Sequence, residues 1–191
     1  MALTPSESLP LGTPAPDFAL RDPEGKLHRL ADFDDAPALV VAFICNHCPY
    51  VKHIQEGLAR FARDVAARGV AVVAINPNDA ERYPDDAPGR MAEDARRFGY
   101  LFPYLVDECQ DVARAYRAAC TPEFALFDGE RRLVYHGRFD ASRPGSDVPV
   151  TGADLRAAVD AVLAGRPCAG GQHASLGCSI KWKPGREPDG A

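Results

Sequence analysis

The sequence predicts an α/β fold, a central mixed sheet with helices on both faces, and three observations carry that expectation. Two continuous apolar runs, Ala38 to Ile44 and Val70 to Ile75, have the length and β-branched content of strands buried on both sides. The stretches between and after such runs place apolar residues near a 3.6 period, as amphipathic helices do. Late in the chain, Asp128-Gly129 separates two apolar segments, a hairpin signal that adds an antiparallel edge. Strands alternating with helices imply a mainly parallel sheet covered on both faces.

The elements follow in chain order. Residues 1–13 are rich in Pro and Ser and read as a loose arm, residues 14–165 as one domain and residues 166–191 as a tail docked on it. Asp17 to Leu20 and Lys26 to Leu30 flank the turn signal Asp22-Pro23-Glu24-Gly25 and read as a hairpin extension. Ala38 to Ile44 is the central strand. Pro49 to Arg68 reads as a helix on Ile54, Leu58, Phe61, Ala62 and Val65; Pro49 suits its first turn and Gly69 ends it. Val70 to Ile75 is a second strand and Asn76 to Gly89, with three prolines, a loop. Then come a helix over Arg90 to Phe98, a strand over Phe102 to Val106 and a helix over Gln110 to Ala118. Strands over Glu123 to Phe127 and Arg131 to Arg138 precede a helix over Thr151 to Leu163, with Thr151 as its N-cap and Gly165 at its end.

The chain has 191 residues, 46% apolar and 26% charged, which is enough for one domain with a full core. A net charge of −5 gives no electrostatic reason to expect nucleic acid or an anionic membrane as partner. The longest apolar run, Ala36 to Ile44, is interrupted by Pro37 and is too short to span a bilayer. Met1 to Pro10 has neither a basic start nor a hydrophobic core of the signal-peptide kind, so the cytoplasm is the expected compartment. Structural disulfides are rare there, and six cysteines then point to redox, metal or packing roles.

Cys45-Asn46-His47-Cys48 lies between a predicted strand and a predicted helix. A helix start offers unpaired N–H groups and the positive end of the helix dipole, which favour a thiolate. A second sulfur two residues on permits disulfide exchange, with Cys45 as nucleophile and Cys48 as resolving thiol. Two inert buried cysteines, or half a zinc site, are the competing readings. An imidazolium at His47 would lower the Cys45 pKa and make the couple more oxidising; otherwise His47 faces solvent. Thr121-Pro122 precedes a predicted strand, and Pro122 is a candidate for a cis peptide bond. Cys120 falls beside it, as a structural thiol or a further redox one. Gly177-Cys178-Ser179-Ile180-Lys181-Trp182 is too apolar for a free tail. Ile180 and Trp182 would pack it down, and Cys178 would approach Cys45 or Cys120. Cys109 and Cys168 have no evident partner.

Pro14-Ala15-Pro16-Asp17-Phe18-Ala19-Leu20 followed by Asp22-Pro23-Glu24-Gly25-Lys26 resembles the opening of the redoxin, or AhpC/TSA-type, superfamily. Cys45-Asn46-His47-Cys48-Pro49-Tyr50-Val51, Asn76-Pro77-Asn78-Asp79, Tyr83-Pro84-Asp85-Asp86, Cys120-Thr121-Pro122 and Gly177 to Lys183 resemble its peroxiredoxin-like group. The resemblance implies a thioredoxin-like fold with an N-terminal hairpin extension and a C-terminal tail. It also implies a cytoplasmic thiol–disulfide oxidoreductase, with Cys45 in the nucleophile position. Pro122 would be cis and would leave the Thr121 backbone open to a substrate strand. Substrates would be protein or small-molecule disulfides and thiols, with an electron donor and an oligomeric state that the resemblance does not specify. No prosthetic group is called for, since the cysteines carry the electrons.

Peroxidase activity is the alternative. Peroxiredoxins set a proline and a Thr or Ser before the reactive cysteine. Counting back from Cys48, those places hold Val41 and Cys45; counting back from Cys45, they hold Ala38 and Ala42. Arg138 could imitate the peroxiredoxin arginine. Thioredoxin's buried acid would fall near Leu39, where there is none, so protons would move through His47, water or a residue contributed from elsewhere. A metal-transfer role would draw on Cys45, His47, Cys48 and His53, with Cys120 or His173. In DsbA, a His at the place of His47 accompanies a potential near −120 mV, against about −270 mV in thioredoxin. A potential above thioredoxin's is therefore expected here.

Overall fold

The structure is a computed structural model that describes residues 3–5, 9–168 and 172–188. Its strands are β1 (Leu3–Pro5), β2 (Ala19–Arg21), β3 (Leu27–Arg29), β4 (Ala38–Phe43), β5 (Ala71–Asn76), β6 (Tyr104–Val106), β7 (Cys120–Thr121), β8 (Glu123–Asp128), β9 (Leu133–Gly137) and β10 (Leu176–Ser179). Its helices are α1 (Pro49–Ala66), α2 (Pro88–Phe98), α3 (Asp111–Ala115) and α4 (Ala153–Leu163).

The main sheet runs β3-β2-β6-β5-β4-β8-β9, and a small second sheet runs β1-β10-β7. Only β4, β5 and β6 pair in parallel; β2 with β3, β2 with β6, β4 with β8 and β8 with β9 are antiparallel. The sheet is mixed as expected, but less parallel than strand–helix alternation suggests. Each hairpin adds antiparallel pairing, and the chain re-enters the centre antiparallel at β8.

β4 explains the layering. All six of its residues are buried. Ala38, Val40 and Ala42 face a core built with Leu58 and Phe61 of α1, Met91 of α2 and Leu155 and Val159 of α4. Leu39, Val41 and Phe43 face the opposite core, with Val112 and Ala113 of α3, Tyr116 and Ile180 of the tail. Side chains alternate across a strand, so an uninterrupted apolar run requires cover on both faces. Each such buried Val, Leu or Phe contributes about 1.5–3 kcal/mol. Among the described residues, no helix is long and apolar enough to cross a membrane.

Several boundaries move for identifiable reasons. The expected helix over 110–118 is α-helical only over Asp111–Ala115, because Arg117 turns to φ 52°. The strand expected from Phe102 starts at Tyr104, after Pro103, which has no N–H to give to a ladder. The loop over 76–89 contains a 3-10 turn, Pro84–Asp86, and yields to α2 at Pro88. Thr151 is not the cap of α4. That place belongs to Gly152 at φ 70°, and the Thr151 and Gly152 N–H groups both donate to Asp140, at 2.8 and 2.6 Å.

The segment expected as a loose arm, 1–13, is tied down where it is described. β1 pairs with β10, and the Gly12 N–H donates to the Leu133 carbonyl at 2.8 Å. Without β1, one edge of β10 would present unpaired N–H and C=O groups. The tail is docked: β10 is held between β1 and β7, and Ile180 is 3% exposed with Trp182 packed beside it.

Candidate active site

β4 runs directly into Cys45 and Cys48, and α1 starts at Pro49 with Cys48 as its N-cap residue. The strand delivers both sulfurs to the end of the sheet, and the helix fixes the second at a dipole terminus. Opposite them stands the loop between β7 and β8. Its Thr121-Pro122 peptide bond is cis, as expected from the sequence.

The structure brings four of the expected residues into contact. Cys45 Sγ lies 3.2 Å from Thr121 Oγ1, and Cys48 Sγ lies 3.2 Å from the Thr121 carbonyl oxygen. Cys178 Sγ lies 2.8 Å from Cys48 Sγ. Cys45, Cys48 and Cys178 are 1%, 0% and 4% exposed. Cys178 therefore reaches the site, but its partner is Cys48 rather than Cys45 or Cys120. The packing of Ile180 and Trp182 holds at the same time.

One further expectation is corrected, and Cys120 is given its surroundings. The Thr121 backbone is not open to a substrate strand: β10 pairs antiparallel with β7, Cys178 opposite Thr121 and Ser179 opposite Cys120. Gly177 makes that fit possible, because a Cβ there would stand 2.0 Å from the Thr121 carbonyl oxygen. Cys120, for which a structural and a further redox role were both open, is fully buried beside the loop. Its Sγ faces the Glu123 carboxylate at 3.6 Å, and burial, reinforced by that charge, pushes its pKa far up.

The stabilised thiolate also changes place. Burial pushes the Cys45 pKa well up, and the hydrogen bond it makes to Cys48 and the Asp86 charge push the same way. Cys48 moves to about 5: Cys45 donates to its thiolate, burial opposes this, and Cys178 with the Val51 N–H adds to the stabilisation. Cys178 rises to about 12, first through burial and then as a donor to Cys48. The three sulfurs titrate as one coupled group, and the downward shift falls on the residue at the helix start. The Thr121 carbonyl is a partner for Cys48 only while Cys48 is protonated.

His47 does not lower Cys45 directly, because its ring is committed to Asp86. Nδ1 donates to Asp86 Oδ2 at 2.6 Å, and the ring stacks on Tyr83 with centroids 5.2 Å apart. Asp86 also accepts from the N–H groups of Asn46 and His47 and from Asn78 Nδ2, at 2.7, 3.3 and 2.8 Å. Burial pulls its carboxyl up, but these hydrogen bonds outweigh it and leave the pKa below the usual value. His47 Nε2 is buried and makes no hydrogen bond. Cys45, His47 and Asp86 each place a donor atom within 4.8 Å of the others. The wider metal set, with Cys48, His53, and Cys120 or His173, is not gathered around it. The hydrogen bonds already taken by both Asp86 oxygens suit a proton relay better than a metal ligand.

Asp86 is the acid that sequence reasoning could not find near Leu39. It comes from the Tyr83-Pro84-Asp85-Asp86 motif, whose resemblance was legible but whose contact with His47 was not. Two other functional residues were missed. Glu123, directly after Pro122, accepts from His136 Nε2 at 2.6 Å and from the N–H groups of Ala119 and Cys120 at 3.0 and 3.1 Å, which holds the cis-proline loop. Asn78 donates to Asp86 and accepts from the Lys181 N–H at 2.9 Å, linking the His47–Asp86 pair to the tail. Arg138 is held by Asp154 at 2.5 Å and lines a shallow pocket beside Pro122 with Tyr50, His53 and Leu176. Cys109 is exposed, with Asp107 and Asp111 beside its sulfur, and Cys168 is half-buried, with the Ala158 carbonyl beside its own.

Comparison with known proteins supports this description. A crystallised hypothetical protein from Sinorhizobium meliloti 1021 is 57% identical, superimposes with a TM-score of 0.94, and the match covers 95% of this chain and 100% of that one. A thiol:disulfide interchange protein of the thioredoxin family from Chlorobium tepidum TLS shares the fold, with a TM-score of 0.62 at 18% identity over 82% of this chain and 99% of its own. The thiol-disulfide oxidoreductase ResA of Geobacillus thermodenitrificans is 26% identical over 125 residues, 65% of this chain and 67% of that protein. Residues 11–136, which carry β2 to β8 and both cysteines of the Cys-x-x-Cys, match the AhpC/TSA family, and the chain belongs to that family.

Proposed function

We propose that this chain is a thiol–disulfide oxidoreductase that works by dithiol–disulfide exchange through Cys45 and Cys48. The observation that carries the reading is a pair of buried sulfurs at a helix start, 3.2 Å from the Thr121 hydroxyl and carbonyl and set against the cis-Pro122 loop, with the Cys48 pKa pulled down by its hydrogen bonds. The ResA relative, named for the same chemistry, supports it.

The proton on Cys45 has two acceptors at hand, the Cys48 thiolate and the His47–Asp86 pair. The Cys45 thiolate then attacks one sulfur of a protein or small-molecule disulfide and expels the other as a thiolate. Cys48 attacks Cys45 and releases the second substrate thiolate. One disulfide is reduced and one formed; the proton that starts on Cys45 finishes on one substrate sulfur, and the second substrate thiolate takes its proton from solvent. Thr121 Oγ1 bonds Cys45, and His47 with Asp86 acts as general acid–base.

The peroxidase alternative finds less support. Val41, Ala38 and Ala42, at the places where a proline and a hydroxyl would polarise peroxide, are fully buried apolar residues of β4. Parallel assays decide between them: insulin-disulfide reduction driven by dithiothreitol, and peroxide consumption. Exchange is expected, lost in both Cys45→Ser and Cys48→Ser. Rapid peroxide consumption without disulfide exchange would overturn the reading.

A further inference from the structure

The chain spends a whole strand on its own active site. β10 lies antiparallel on β7, and the residue it sets opposite Thr121 is a cysteine whose sulfur is 2.8 Å from Cys48. That is only about 0.8 Å longer than an S–S bond. Cys48 hydrogen-bonds both Cys45 and Cys178, so it stands between two sulfurs, one three residues before it and one 130 residues after it. Nothing in simple packing calls for that neighbour. A valine or serine would fill the site, and Ile180 with Trp182 already anchors the tail in the second core. The strand sits where its cysteine meets the central sulfur because residue 177 is glycine; any Cβ would collide with the Thr121 carbonyl. Lys181, just beyond, is held by Asn78, which also bonds Asp86.

We infer that Cys178 is a third redox-active thiol, which takes the disulfide from the Cys45–Cys48 pair and forms a Cys48–Cys178 bond. The inference rests on the exchange reading for Cys45 and Cys48. The oxidising equivalents come from the substrate disulfide. Once Cys45–Cys48 has formed, Cys178 sulfur attacks Cys48; the Cys48–Cys178 bond forms, the Cys45–Cys48 bond breaks, and Cys45 leaves as a thiolate. The proton lost by Cys178 ends on Cys45. One disulfide is present before and after, so no electron is gained or lost and no further oxidant is required. A dithiol reductant then returns the protein to three thiols. The step fastens β10 covalently over the cis-proline loop while the protein is oxidised and frees it on reduction, so access for the next disulfide follows the redox state of the tail.

The test is disulfide mapping after exposure to oxidised glutathione. Cys168 and Cys178 share one tryptic peptide, so all variants carry Cys168→Ser. With Cys45→Ser added, the thiol in contact with Cys48 is Cys178: a Cys48–Cys178 cross-link, rather than one to the neighbouring Cys120, is expected, with little glutathione retained on Cys48. Adding Cys178→Ser is expected to raise the glutathione adduct on Cys48 by about tenfold or more, since a tethered thiol acts at millimolar or higher effective concentration. Gly177→Ala keeps every thiol but displaces the strand, and is expected to lose the Cys48–Cys178 cross-link while keeping Cys45–Cys48. A glutathione adduct on Cys48 that persists in Cys45→Ser with Cys178 reduced would overturn the inference, and a normal Cys45–Cys48 bond in the parent would then leave the exchange reading standing. A parent that forms neither bond overturns both. Cys178→Ala serves in place of Cys178→Ser if the serine variant does not fold.

Discussion

His47 meets Asp86 at 2.6 Å, and His136 meets Glu123 at the same distance, but the surroundings of the two pairs differ. The side chains of His136 and Glu123 are 4% and 1% exposed, deep beside β8 and β9. Glu123 spends its remaining capacity on two N–H groups and a thiol of the cis-proline loop, so the pair is an anchor. Each ring leaves its second nitrogen without a hydrogen bond, but the His47 side chain is 14% exposed and Cys45 lies within reach of it. Asp86 there holds a ring whose other face of chemistry is free. The same two functional groups serve as an anchor in one place and fit the proposed proton transfer in the other, and the difference lies in the surroundings: one ring is closed in beside the cis-proline loop, the other is partly exposed and next to a reactive sulfur.

The contrast can be broken from the anchor side first, where the largest effect is expected. Glu123→Ala leaves a buried imidazole and two buried N–H groups without their acceptor, and should cost about 3–5 kcal/mol of stability. Urea unfolding measures it. A loss below about 1 kcal/mol, the range of an exposed pair, would remove the anchoring role.

Asp86→Asn acts on the other pair. The expected result is a fall in exchange rate of about 10²–10⁴-fold, the usual range for a lost general acid–base, with a smaller stability cost of about 1–3 kcal/mol. Losing the negative charge beside Cys45 also favours its thiolate, so the Cys45–Cys48 potential should rise further above thioredoxin's value of about −270 mV. An unchanged exchange rate alongside a large stability loss would make both pairs anchors.

The smallest effect sharpens the electrostatics of the sulfurs. The Cys48 pKa of about 5 lies below that of an unfolded cysteine, near 8.5. Reduced protein should therefore lose this contribution as the pH falls through about 5, gain it as the pH rises toward about 8.5, and keep it above that. The raised thiols of Cys45 and Cys178 act in the opposite direction above about 8.5, so stability of the reduced form should peak near there. Thermal unfolding across pH, run on reduced and oxidised protein, checks this: a disulfide through Cys48 should remove the rise between about 5 and 8.5. A rise of equal size in both forms would assign it to other groups.

Much of this molecule can be read from local pattern. The double-faced burial of Ala38–Phe43, the helix after Pro49 and the Asp128-Gly129 hairpin follow from residue types over a few positions, because strand and helix periods are local properties. The reactive pair was legible for the same reason, since Cys45 and Cys48 sit three positions apart at a strand–helix junction. Pro122 was legible because cis peptides are essentially confined to proline.

What the chain alone determined is the scaffold and the kind of chemistry: an α/β redoxin layout with two cysteines at a helix start. What only the tertiary structure decided is which sulfur carries the charge, where its protons go and what covers it. Asp86 reaches His47 across 39 residues, Glu123 turns back onto the loop that precedes it, and Cys178 reaches Cys48 across 130. A thiol's pKa is set by burial and by the donors and charges within a few ångströms of it, and those neighbours are brought together by packing between segments rather than by spacing along the chain.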